Sequence, residues 1–252
     1  MDTPAYTADA SLKGKLRRRF ARMTHRAPLR LALQRPVVSF TFDDAPESAA
    51  ARGAQVLEAR GAHGTFYVCT GLFGQEGRMG RFADADQVAA LAERGHEVAC
   101  HTAGHRDCHR TPDAELLADC DANVQALKAL GGAPRHFAFP YGEVSPHAKA
   151  LLAPRYGSLR GVQAGMVRDG SDRNQLPAVG IEGDDGEARA RDWIDRAVRE
   201  QAAGGSAWLI LFTHDVRESP SAWGCTPGAL DRLAAHALSA GCEIRTVGQV
   251  LA

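Results

Sequence analysis

The sequence predicts an α/β fold, a single distorted (β/α) barrel of about seven strands. Three observations predict it. Beyond residue 35, short apolar runs alternate with helix-like stretches, the pattern of a parallel sheet. Most of the links carry glycine, as at Arg60-Gly61 and Arg94-Gly95, and glycine is a common helix stop. Polar residues gather where the apolar runs end, which is where a barrel builds its site.

The strands are read at 37–42 (VVSFTF), 64–69, 96–101, 136–140, 158–162, 176–181, 208–213 (WLILFT) and 242–246. Helices are read at 49–60, 84–94, 113–130, 187–201 and 227–240. The last opens on Thr226-Pro227, an N-cap followed by proline at the first helical position. Cys225 beside them has no base or cation near it in sequence, so it reads as a loop residue and not a nucleophile. No internal repeat or linker divides the chain after residue 35, which gives a basic segment at 1–35 and a single domain at 36–252.

The 252 residues carry no net charge, and no apolar run approaches a membrane span, so no global field draws the chain to nucleic acid. The glycine-rich links lack phosphate-loop spacing. Arginines interrupt every apolar stretch up to Arg35, unlike a signal peptide. A cytoplasmic protein with six reduced cysteines is therefore expected, with the inner membrane face as an alternative site. Charge is unevenly placed: residues 1–35 hold nine Lys/Arg against Asp2 and Asp9, a net +7, which leaves −7 for the rest. One reading is a helix with solvated charges, or a tail. The other is peripheral contact with anionic lipid through residues 13–35.

SFTFDDAP (39–46) ends a strand with adjacent carboxylates, Asp43 and Asp44, either a turn-and-cap signal or two reagents with different tasks. CHTAGHRDCHR (100–110) is the densest donor cluster. His101 and His105, four apart, can face one point from a helical turn, and a carboxylate would make three ligands of a catalytic zinc-type site. A closed structural site would need Cys100, Cys108 or His109 as well, and the usual paired spacings are missing.

TFDD (41–44), HTAGH (101–105), FAFPYG (137–142) and LFTHD (211–215) stand in the order and near the spacing seen in polysaccharide deacetylases. From Val37 to the C-terminus the chain resembles that group, carbohydrate esterase family 4, whose shared unit is the NodB-homology domain. The resemblance implies a metal-dependent hydrolase that removes an N-acetyl group from an N-acetylated sugar or glycan. It implies one divalent ion, zinc first and cobalt or nickel as alternatives, held by Asp44, His101 and His105. Asp43 would be the general base, His214 the acid, and the Tyr141 backbone N–H the oxyanion donor. Pro140, Arg160 and Asp215 are expected on the substrate side.

Two departures stand out. Ala138 occupies the position where many members carry an arginine that orders the base, leaving Arg135 or Arg160 to supply that charge. Asp192-Trp193, the sole match to the fourth motif, lies in a helical pattern and reads as a core tryptophan, which leaves Asp215 to orient His214. Deacylation or deformylation of a lipid-linked amino sugar or other non-peptide amide is a competing activity. A non-catalytic carbohydrate-binding relative is another.

Overall fold

The computed structural model describes residues 11–252, so Asp2, Asp9 and the rest of 1–10 lie outside the described residues. The first described element is α1 (Leu12–Ala21), whose N-cap Ser11 accepts the Gly14 N–H at 3.1 Å. Next come β1 (Val37–Asp43), a π-helical turn (Ala49–Gly53) leading into α2 (Ala54–Glu58), and β2 (Thr65–Val68). A short hairpin, β3 (Glu76–Gly77) and β4 (Gly80–Arg81), precedes α3 (Ala85–Glu93), β5 (Glu97–Cys100), α4 (Asp113–Ala129) and β6 (His136–Ala138). The second half runs α5 (Pro146–Leu152), β7 (Ser158–Arg160), β8 (Val179–Gly180) and α6 (Gly186–Ala202). It closes with β9 (Trp208–Thr213), α7 (Pro227–Ser239), β10 (Glu243–Ile244) and α8 (Val247–Leu251).

The strands form one parallel sheet in the order β7-β6-β5-β2-β1-β9-β8, with β10 added beside the start of β1. β1 is central and wholly buried, paired with β9 from Val37–Trp208 to Phe42–Thr213. Its sequence, VVSFTFD, alternates: Val38, Phe40 and Phe42 enter the apolar core, while Ser39, Thr41 and Asp43 are buried on the other face. A single parallel bridge from Arg160 to Leu176 links the two edges, and the sheet curls into a half-barrel. The largest apolar cluster holds Phe40, Phe42, Phe66, Leu209 and Leu211 against the helices. Phe42 and Phe66 stack at 4.6 Å, and each buried ring contributes on the order of 2 kcal/mol.

All eight expected strands are present, some shorter. The one read at 176–181 narrows to β8, because Pro177 has no N–H for a ladder and leaves Leu176 as an isolated bridge. The β3–β4 hairpin, α5 and α8 were not anticipated from the sequence. The basic segment is joined to the barrel. Leu29 and Leu31 are buried in a cluster with Trp208; the Leu29 N–H donates to the Ser171 carbonyl at 2.7 Å, and the Gly170 and Arg173 N–H groups donate to the Leu29 and Ala27 carbonyls at 2.9 Å.

Candidate active site

The C-terminal ends of the strands surround a cavity of about 600 Å³. Its lining includes Asp43 and Asp44 from β1, His101 and His105 after β5, Tyr141 after β6, Glu182 after β8 and His214 after β9. Backbone conformation explains how these side chains converge. Six described non-glycine residues have left-handed φ, and five of them, Asp44, Ala45, Thr102, His105 and Tyr141, lie at these strand ends. Such residues cost on the order of 1–3 kcal/mol each and persist only where the surroundings hold them.

Consecutive strand residues point to opposite faces. Asp44 leaves the strand with φ 61°, so both carboxylates reach the same cavity. The expected helical turn at 101–105 is absent. His101 and His105 sit on a loop whose left-handed Thr102 (φ 62°) and His105 (φ 50°) turn both rings onto Asp44. His105 Nε2 lies 3.2 Å and His101 Nε2 3.5 Å from Asp44 Oδ1. One donor atom from each of the three residues lies within 4.8 Å of the others. Asp119 of α4 anchors this loop, accepting the Ala103 N–H at 2.5 Å and the Gly104 N–H at 3.1 Å.

The donor chemistry fits a divalent cation. His101 donates Nδ1–H to the Ala138 carbonyl at 2.8 Å, which fixes its tautomer and leaves the Nε2 lone pair facing Asp44. Burial pulls the His101 pKa down to about 4, keeping the ring neutral as a ligand must be. Burial opposes ionisation of Asp44, yet His105, His101 and His214 hold its carboxyl below the usual range. Cys69, with its thiol 3.8 Å from Asp44 Oδ1, is pushed up by burial and stays protonated. Among the described residues no other cluster of this kind occurs, so Cys100, Cys108 and His109 do not complete a structural site.

Asp43 is paired with Arg160, which is fully buried and stacks over Tyr67 at 4.8 Å and Phe212 at 5.5 Å. Arg160 sits opposite Ala138 in the β6–β7 ladder, so the next strand supplies the charge missing from β6. His214 Nδ1 faces the Trp223 carbonyl at 3.2 Å and Glu182 Oε2 at 3.9 Å. Burial pushes the Glu182 carboxyl above its usual range, although His214 draws it back. Tyr141 has φ 61° and packs its ring on His105, with centroids 4.3 Å apart. Gly142 follows it with φ 64°, where a Cβ would overlap Val162.

Two expectations change. Pro140, Arg160 and Asp215 do not line the cavity, and all three are buried. Asp215 does not orient His214, because its carboxylate accepts from Arg217 at 2.7 Å and from the Ser221 N–H at 2.8 Å, holding the loop after β9. Cys225 lies in the loop before α7 as expected, with its side chain in the apolar core and its thiol pushed up to about 12 by burial. Trp193 packs on that core from α6, as the helical pattern implied. Glu182 and Asp119 were missed by the sequence reading. Glu182 had a usable signal, its position directly after the run 176–181, where the rule for barrel sites applies.

Residues 31–155 match the sequence profile of the polysaccharide deacetylases. No curated relative matches the chain. Among solved structures, a chitin deacetylase from the fungal pathogen Colletotrichum lindemuthianum superposes with TM-score 0.64 and 18% identity, over 89% of this chain and 91% of that one. A family 4 carbohydrate esterase from Streptomyces lividans, in complex with acetate, gives 0.52 and 21% over 83% and 91%. A mutant of a family 4 pseudoenzyme with restored enzymatic activity gives 0.60 and 14% over 90% and 71%. At these identities the structures establish the fold.

Proposed function

Because the chain belongs to the polysaccharide deacetylase family, we propose that it is a metal-dependent hydrolase that removes the N-acetyl group from an N-acetylated sugar or glycan. The observation that carries this reading is the convergence of Asp44, His101 and His105 in a cavity that also exposes Asp43 and His214. When bound there, a divalent ion, zinc by preference with cobalt or nickel as alternatives, supplies Lewis acidity to the acetamide and to water.

The chain's own groups divide the remaining work. Asp43, held by Arg160, takes the proton from the attacking water. The Tyr141 backbone, at the end of β6, supports the oxyanion. His214, its Nδ1–H directed at the Trp223 carbonyl, delivers a proton from Nε2 to the leaving amine. The C–N bond breaks, acetate leaves and the free amine remains on the sugar.

A second reading, a lipid-linked amino sugar or other non-peptide amide, draws on the apolar wall of Leu72, Met79, Phe82, Val162, Phe212 and Trp223. Acetate release from a panel of N-acetylated sugars and oligosaccharides tests the first reading, with longer N-acyl analogues testing the second. Activity should vanish on chelation and return with zinc, cobalt or nickel. Full activity after exhaustive chelation would overturn the metal-dependent route. A metal-loaded protein that releases no acyl group yet binds glycan would be a carbohydrate-binding relative.

A further inference from the structure

α1 leaves an apolar stripe in solvent. Leu12, Leu16, Phe20 and Met23 are 72, 57, 56 and 69% exposed. The first three recur every four residues, so they share one side of the helix, and Met23 follows just beyond its end. Gly14 and Ala21 are buried, and Arg17 and Arg18 reach the buried Glu143 at 2.8 and 2.9 Å. Lys13, Lys15, Arg19 and Arg22 are exposed around the stripe, and α1 contains no acidic residue. Scattered apolar side chains on a surface need no explanation, but a contiguous row on a helix already anchored by its other side does.

Apolar side chains flanked by cations are what a helix lying in a bilayer interface presents. A second copy of this chain, docked through the same row, would bring two sets of cations together. An anionic lipid surface satisfies both the row and its charges. We propose that α1 docks the protein on an anionic lipid surface, with Leu12, Leu16, Phe20 and Met23 at the headgroup boundary and the flanking bases on lipid phosphates. No helix among the described residues is long and apolar enough to cross a membrane, so this contact is peripheral. Glu143 lies two residues beyond Tyr141, and Lys149 Nζ holds the Ala21 carbonyl at 2.8 Å. These ties set α1 beside the cavity rim, so docking keeps that rim close to the lipid surface.

Vesicle sedimentation, which needs no substrate, separates this inference from the proposed chemistry. The protein should sediment with phosphatidylglycerol vesicles at low salt, leave them as salt rises, and ignore phosphatidylcholine. L16A/F20A should weaken that binding by roughly tenfold or more, and K13Q/K15Q by a factor of several per charge. Both variants should keep the parent melting temperature and hydrolysis of a small soluble substrate. No sedimentation with phosphatidylglycerol at low salt overturns the proposal, as does parental binding by L16A/F20A. A dimer of the protein alone that L16A/F20A dissociates would assign the stripe to a second copy instead.

Discussion

Adjacent strand residues serve opposite faces, and the left-handed turn at Asp44 lets Asp43 and Asp44 serve one cavity. Their partners differ. Asp43 faces a guanidinium, while Asp44 faces two imidazoles whose Nε2 atoms lie 3.2 and 3.5 Å away. With Asp43 as the proposed base, Asp43→Asn should retain metal and lower kcat by roughly 10²–10⁴-fold. Asp44→Asn should lose metal first, since a charged ligand becomes neutral. Metal content by atomic absorption, measured beside kcat, distinguishes them, and equal metal loss in both variants would refute the division. The sequence made the donors legible because residue type and order carry that information. It left open whether Arg135 or Arg160 compensates for Ala138, because cross-strand register decides which side chain lies opposite.

At the scale of elements, the long runs were legible and the short ones were not. β1 and β9 are six or seven buried residues of strong β character. The β3–β4 hairpin has only two residues per strand and no periodicity to read. For the loop 101–105 the spacing of four between His101 and His105 predicts a helical turn. Its actual shape depends on Asp119, distant in sequence, binding the Ala103 and Gly104 N–H groups. Asp119→Ala should lower metal affinity by roughly tenfold while α4 remains folded. Unchanged affinity by competitive chelator titration would show that the loop holds its own shape. His96, between α3 and β5, gives the fold a pH dependence. It accepts the Gly64 N–H on Nδ1 at 3.0 Å and donates from Nε2 to Glu58 at 2.9 Å, a neutral arrangement. Burial lowers its pKa despite Glu58. The unfolded chain therefore binds the proton more readily, and this stability is complete above about pH 6.5 and lost as pH falls below it. His96→Gln, which keeps one acceptor and one donor, should flatten the fall in melting temperature between about pH 7 and pH 5. A slope equal to the parent's would clear His96 of that role.

The whole molecule is tied together across its sequence by Lys149. Its ammonium is fully buried, bonded to the carboxylate of Asp172 and to the Ala21 carbonyl at 2.8 Å. Burial pulls the Lys149 pKa down while Asp172 draws it back up. Asp172 in turn accepts the Ala27 and Asn174 N–H groups at 2.9 and 3.0 Å, so one buried ion pair joins α5, the end of α1 and the loop before β8. A sequence cannot show such a pair, since a lysine on a short helix normally reads as solvated. Removing one partner of a buried pair strands the other charge, which costs more than the pair itself contributes. Lys149→Met should therefore destabilise the protein by about 3 kcal/mol, a fall in melting temperature of roughly 6–12 °C for a chain of this size. The double variant K149M/D172N removes both charges and keeps the Asn oxygen as acceptor for Ala27 and Asn174. It should recover more than half of that loss. Thermal unfolding of the two variants decides the matter: a loss below about 1 kcal/mol in K149M would mean the charge reaches water, and no recovery in the double variant would mean the lysine acts through packing alone.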